Sequence, residues 1–174
     1  MRIGIFADAH DHVDHVRVAV GMFNQARCDL VLFAGDFCSP IIVPPLRKLT
    51  CKVIACWGDN DGNRIGIEGG MRIVGPIGEP PFGFRTKDGT RVLITHLPDS
   101  IKGLVDNADL IVTAHSHRAS VVNDARGRLF VNPGELSGWF FRQPSIAIVE
   151  TKPLSAQILR LPDMPVPPVV VDLA

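Results

Sequence analysis

Residues 28–36 read CDLVLFAGD. The apolar run from Leu30 to Ala34 has no polar break and stops at Gly35-Asp36. A short, continuous apolar run of this kind is typical of a strand buried on both faces, as in a parallel sheet. Outward from it the same grammar repeats. RIGIFA, 2–7, is a first strand. A helix follows, because Val13, Val16, Val20 and Phe23 recur at spacings of three and four. Asp11 is placed to cap it. SPIIVPPLRKL, 39–49, suggests a short helix interrupted by Pro44-Pro45, and KVIACWGDND, 52–61, another buried strand ending in a polar loop. The order β–α–β–α–β predicts an α/β sheet with crossovers.

The second half changes style. MRIVG, 71–75, reads as a short strand. FGFRTKDGTRVLITH, 82–96, carries Asp88-Gly89 between two strand-like segments, a hairpin signal. LIVTAH, SVVND, RLFVNPG, SIAIVET and SAQILRL are further short strands. No internal repeat or linker divides the chain. Residues 1–161 are expected to form a single domain, followed by a Pro-rich tail, 162–174.

The chain has 174 residues, of which 46% are hydrophobic and 21% charged. That is enough to bury a core without staples. Eighteen basic residues balance eighteen acidic ones. A neutral chain has no bulk electrostatic reason to hold nucleic acid or an anionic membrane as a stable partner. No signal-peptide pattern opens it, and no apolar run reaches the length of a membrane span. Cys28, Cys38, Cys51 and Cys56 form no CxxC pair. They read as reduced core or near-core cysteines, and the expected location is cytoplasmic.

The ends of the apolar strands are where the chemistry collects. Strand one ends in Asp8 and His10, the next in Asp36, and the third in Asp59, Asn60 and Asp61. The hairpin strand ends in His96, and the strand after it in His115 and His117. Four of the six histidines stand at such ends. Any one of these residues alone suits a turn or cap, but five coincidences do not. Ligands of open α/β sheets gather at the carboxyl ends of strands. Three or four imidazoles and two or three carboxylates exceed the needs of one zinc ion. They suit two divalent metals, with Asp36 as the natural bridge. Such a pair can hold a hydroxide and clamp a phosphoryl group.

DAH (8–10), GD (35–36), GDND (58–61), TH (95–96), AHSH (114–117) and NPG (132–134) fall in an order that resembles the calcineurin-like metallophosphoesterases. More narrowly, the chain is similar to the small bacterial and archaeal phosphodiesterases and their relative, the retromer scaffold subunit. The resemblance spans residues 2 to about 150. It implies a four-layer αββα fold, two β-sheets packed as a sandwich and flanked by helices. It also implies that Asp8, His10 and His117 hold one metal, that Asp36 bridges, and that residue 59, His96 and His115 hold the other. Manganese, iron, nickel, cobalt and zinc all suit mixed His/Asp donors, with manganese the expected cofactor.

The pattern departs from the family at two places. The family has Gly-Asn where this chain has Gly58-Asp59-Asn60. Either Asp59 replaces the asparagine, the preferred register, or Asn60 binds. Two divalent ions carry about +4, and Asp8, Asp36 and a bridging hydroxide remove about three; Asp59 would remove roughly one more. Larger family members place a histidine after that asparagine as proton donor, where this chain has Asn60. Without an obvious general acid, leaving groups that depart unaided are favoured. Among nearby residues, Asn60, His12 and Asn132 are candidates for substrate contact. The alternatives read His12 and His15 as solvated helix residues and Asn132 as part of a tight turn. Trp57 and Trp139-Phe140-Phe141 read as core or rim packing. The expected function is a dimetal phosphodiesterase acting on a small phosphate ester or nucleotide. The alternative is a weak or inactive metal-binding scaffold that works through protein contacts. Association into a homo-oligomer is compatible with either.

Overall fold

The structure, a computed structural model, describes residues 1–162. The tail expected over 162–174 therefore lies outside the described residues apart from Pro162. Eleven strands form two sheets. In the first, β1 (Arg2–Phe6), β2 (Leu30–Phe33), β3 (Lys52–Cys56) and β4 (Ile77–Gly78) run parallel. Antiparallel β10 (Ser145–Thr151) and β11 (Leu154–Arg160) extend it, in the order β11-β10-β1-β2-β3-β4. The second sheet has the order β5-β6-β7-β9-β8. It contains β5 (Phe82–Arg85), β6 (Arg91–Ile94), β7 (Leu110–Val112), β8 (Ser120–Asn123) and β9 (Leu129–Asn132).

Two-residue alternation sends each strand of the first sheet into two cores. Ile3, Ile5, Leu30 and Leu32 meet Val92, Ile94, Leu110 and Val112 between the sheets. Phe6, Val31 and Phe33 face the other way, against the helices. Helix α1 (Val13–Gln25) buries Val16, Ala19, Val20 and Phe23 there. Gly4 permits the approach, since a Cβ at that position would lie 2.4 Å from the Phe23 ring. The outer face of the second sheet carries Leu93 and Ile111 under Ile101 and Val105, which belong to two 3-10 turns. The result is two packed sheets flanked by helical layers, the outer one thin. No helix among the described residues is long and apolar enough to cross a membrane.

Three local expectations are corrected. Residues 71–74 are not a strand; they end helix α3 (Arg64–Val74), which buries Ile67, Met71 and Val74 on one face. Asn63 caps it by accepting the Gly66 N–H at 3.0 Å. Pro44-Pro45 do not interrupt a helix. They lie within the single turn α2 (Val43–Leu46), Pro44 near its start, where a missing N–H costs nothing. The cap of α1 is His12, whose Nδ1 accepts the His15 N–H at 3.3 Å. Asp11 instead accepts from Ser39 N and Oγ. The Asp88-Gly89 hairpin forms as expected, joining β5 to β6 with Gly89 at φ 95°.

Candidate metal centre

The carboxyl ends of β1, β2, β3, β6 and β7 converge on one edge of the sandwich. Backbone bonds clamp the loops that leave them. Ala9 and His10 donate to the Asp36 carbonyl, Asp11 to that of Phe37, and Ala114 to that of His96. The turns are tight enough to force left-handed backbone on residues with side chains. Asp8, His10, Asp36, His115 and His117 have φ values of 52°, 42°, 63°, 63° and 60°. Such conformations cost about 1–3 kcal/mol each and cluster where the surroundings over-determine them. Gly58 lets the loop after β3 come close, because a Cβ there would stand 2.1 Å from Asp36 Oδ1.

All seven residues singled out as ligands are brought together. Donor atoms of Asp8, His10, Asp36 and His117 lie within 4.8 Å of one another, as do those of Asp59, His96 and His115. Asp36 touches both groups, with Oδ2 3.4 Å from His10 Nε2 and Oδ1 3.5 Å from His96 Nε2. Asp59 Oδ1 sits 2.8 Å from His96 Nε2 and 3.0 Å from His115 Nδ1. Asn60 turns away from that group and donates its backbone N–H and its Nδ2 to Asp36, at 3.0 and 2.9 Å.

The rings are aimed by their outer nitrogens. His96 Nδ1 donates to the Ala34 carbonyl at 2.8 Å, and His117 Nδ1 to Glu135 Oε2 at 3.0 Å. Each bond fixes the tautomer that leaves Nε2 with its lone pair toward the site. Glu135 was not anticipated from the sequence. It is fully buried and also accepts the N–H groups of Phe140 and Phe141, at 2.9 and 2.6 Å. Burial alone would raise its pKa, but His117 and those two N–H groups outweigh it and hold it below the usual value.

The donor set fits cations. Asp8 is wholly buried, yet neither of its oxygens has a hydrogen-bond partner, and His96 Nε2 is surrounded by carboxylate oxygens, Asp59 Oδ1 at 2.8 Å and Asp36 Oδ1 at 3.5 Å. His10 Nε2 and His117 Nε2 face each other at 3.3 Å. A cation between them would take both nitrogens as ligands. Without that charge, burial pushes the Asp8 carboxyl up to about 8. Burial would lower His96, but the Asp36 carboxylate outweighs it and raises the ring to about 9. Asp36 has the opposite balance: burial opposes ionisation, while His96 and Asn60 prevail and lower its pKa.

The remaining candidates make local contacts around the centre. Asn132 is 4% exposed with its amide fully used. It donates to the Ala114 carbonyl and Ser116 Oγ and accepts from Gly134 N, tying the loop of His115 and His117 to the turn after β9. His12 and His15 are half-buried rather than solvated. Their rings stack at 3.5 Å, and Trp139 covers His12 at 4.9 Å. Trp57 is a core residue, whereas Trp139 and Phe140 are exposed at the rim.

The profile of the calcineurin-like phosphoesterase superfamily domain matches residues 1–153. The phosphodiesterase MJ0936 of Methanocaldococcus jannaschii is 31% identical over 160 residues, 87% of this chain and 94% of that protein. A solved archaeal phosphodiesterase superposes with a TM-score of 0.85 at 27% identity, covering 92% of this chain and 100% of its own. Two more distant structures share the fold. The phosphoesterase Yfce of E. coli has a TM-score of 0.67 at 17% identity, over 93% of this chain and 100% of its own. Vps29 of Entamoeba histolytica has 0.66 at 16%, over 92% and 99%.

Proposed function

This chain belongs to the calcineurin-like phosphoesterase superfamily, and on that premise we propose that it is a phosphodiesterase working with two divalent cations. One observation carries the reading. A buried Asp8 carboxylate with no hydrogen-bond partner lies among inward-facing imidazole nitrogens. A buried ion without a counter-charge costs several kcal/mol, and a bound cation removes that cost. Asp8, His10 and His117 would hold one cation, Asp59, His96 and His115 the other, and Asp36 both. Manganese suits this set of nitrogen and oxygen donors. When bound, the pair would acidify a water and neutralise the charge of a phosphoryl group.

The protein's own contribution is alignment. Glu135 and the Ala34 carbonyl fix two imidazoles before any cation arrives. Asn60 steadies Asp36 through two donated bonds and has no proton to lend a departing alkoxide. Substrates with acidic leaving groups, such as aryl phosphodiesters, should therefore turn over fastest. The four free cysteines support a reducing, cytoplasmic setting.

The test is hydrolysis of bis-(p-nitrophenyl) phosphate by protein stripped with chelator and reloaded with manganese. The reading predicts two metals per chain and activity that follows metal content. Metal-loaded protein that hydrolyses no phosphodiester would assign the fold to the scaffold role.

A further inference from the structure

The metal centre opens onto a row of exposed aromatic rings. Trp139, Phe140 and Phe141 are 62%, 68% and 40% exposed. Trp139 Nε1 donates to the His10 carbonyl at 3.2 Å. Phe140 stands edge-on to His117, with ring centres 4.3 Å apart, and Glu135 anchors the backbone of both phenylalanines. With Asn60 and His115 these rings line a cavity of about 510 Å³. Exposed rings beside the centre offer a surface on which a base can stack.

A second cavity, of about 340 Å³, shares His117 and Phe141 with the first. Arg118, Gln143 and Arg160 form much of its wall, and no carboxylate lines it. Arg118 stacks over Phe141 at 4.5 Å, and Arg160 donates to Gln143 Oε1 at 2.7 Å. Among the described residues neither guanidinium meets an acid. Arg2, Arg17, Arg64, Arg91, Arg126 and Arg128 each meet one, while Arg27, Arg47, Arg72, Arg85 and Arg142 do not; what sets Arg118 and Arg160 apart is that they share one cavity beside His117. In a chain of zero net charge, two unpaired guanidiniums beside a reaction centre form a local anion site.

We propose that the second cavity receives a further phosphate of the substrate, so that among nucleotide diesters, which share an alkoxide leaving group, a 5′-phosphorylated dinucleotide or short single strand is preferred. The adjoining cavities repeat the order of a nucleotide chain: a phosphate at the metal centre, a base on the aromatic row, and a neighbouring phosphate on Arg118 and Arg160. A cyclic mononucleotide or a simple aryl ester has nothing to place there. A duplex keeps its bases stacked away from the rings. This inference rests on the phosphodiesterase reading.

The experiment compares kcat/KM for a deoxyadenosine dinucleotide with and without its 5′-phosphate, using the manganese-loaded full chain. A preference of about tenfold for the phosphorylated form is expected, falling close to one in Arg118→Gln/Arg160→Gln. In parallel, anisotropy of the 3′-labelled, 5′-phosphorylated dinucleotide is followed against salt. The slope of log Kd on log salt should drop by about 0.7 per lost phosphate contact in the variant. A wild-type ratio near one, or a ratio or slope that survives the double substitution, overturns the inference. Hydrolysis of bis-(p-nitrophenyl) phosphate in that same preparation keeps the phosphodiesterase reading intact. Arginine-dependent binding without hydrolysis of any diester supports the anion site and overturns the enzyme reading instead.

Discussion

Glu135 Oε2 accepts the Nδ1 proton of His117 at 3.0 Å, from a side chain with no exposure to solvent. The bond does two things: it selects the tautomer with Nε2 free, and it holds the ring so that this nitrogen faces Asp8 and His10. Glu135→Gln keeps the volume but can present an N–H to the ring. Metal affinity at the group of Asp8, His10 and His117 should fall about 10–100-fold. The group of Asp59, His96 and His115 should hold its metal. Calorimetric titration resolves two sites and checks this. Equal loss at both sites, or at neither, would show that Glu135 does not act through His117.

Asp8 sets up a trade between stability and binding. In the metal-free protein its buried carboxylate must stay unpaired or take up a proton. An amide carries no charge and takes up no proton, so the desolvated ion disappears. Asp8→Asn should raise the Tm of chelator-treated protein by about 2–10 °C. It should also shrink the further rise that manganese gives the wild type, leaving the share contributed by the group of Asp59, His96 and His115. Scanning calorimetry with and without manganese measures both. A metal-free variant less stable than the metal-free wild type would remove the unpaired charge from the account.

Asp88 gives a pH dependence remote from the metal centre. At the tip of the β5–β6 hairpin it accepts from the Thr151 hydroxyl, from Thr86 Oγ1 at 2.5 Å and from the N-terminal ammonium of Met1 at 3.0 Å. Thr151 is the largest influence, and together these donors lower its pKa from 3.8. A depressed acid stabilises the fold above its unfolded pKa and loses that contribution as pH falls through the folded value. Asp88→Asn should therefore unfold at lower urea than wild type at pH 6–7. The gap should narrow below about pH 4, where the carboxylate of the unfolded chain takes up a proton before that of the folded one does. A gap that is constant from pH 7 to pH 3 contradicts this sign.

The architecture was legible where one physical signal dominated. Leu30 to Phe33 could only be a buried strand, and Asp88-Gly89 could only turn a hairpin. Helix α3 was hidden because Gly66, Gly69 and Gly70 dilute its propensity, so that its last residues alone looked like a strand. The clustering of Asp8, His10, Asp36, His96, His115 and His117 was legible because each ends an apolar run. Glu135 was not, because it acts across 18 residues of chain on a partner no local pattern pairs with it. One trace existed: it is the only charged residue between Arg128 and Arg142. The double role of His12, as a cap and as a stacking partner, depends on Trp139 arriving from the far end of the chain.

The last prediction concerns the register at residues 59 and 60. Asp59 Oδ1 lies between His96 and His115, whereas Asn60 gives both its donors to Asp36. If Asp59 is a ligand, Asp59→Asn removes one negative charge from the centre. Metal retention should weaken, and turnover per occupied site at neutral pH should rise. The nucleophilic water should lose its proton more easily, moving the acidic limb of the pH–rate profile down by about one unit. Asn60→Ala removes one hydrogen bond from Asp36 while its backbone donor remains. Both metals should stay bound, with a loss of rate of only a few-fold. A metal count and a pH–rate profile on the two variants decide the matter. Loss of the second metal in Asn60→Ala alone, with Asp59→Asn like wild type, would place Asn60 on the metal and leave Asp59 a spectator.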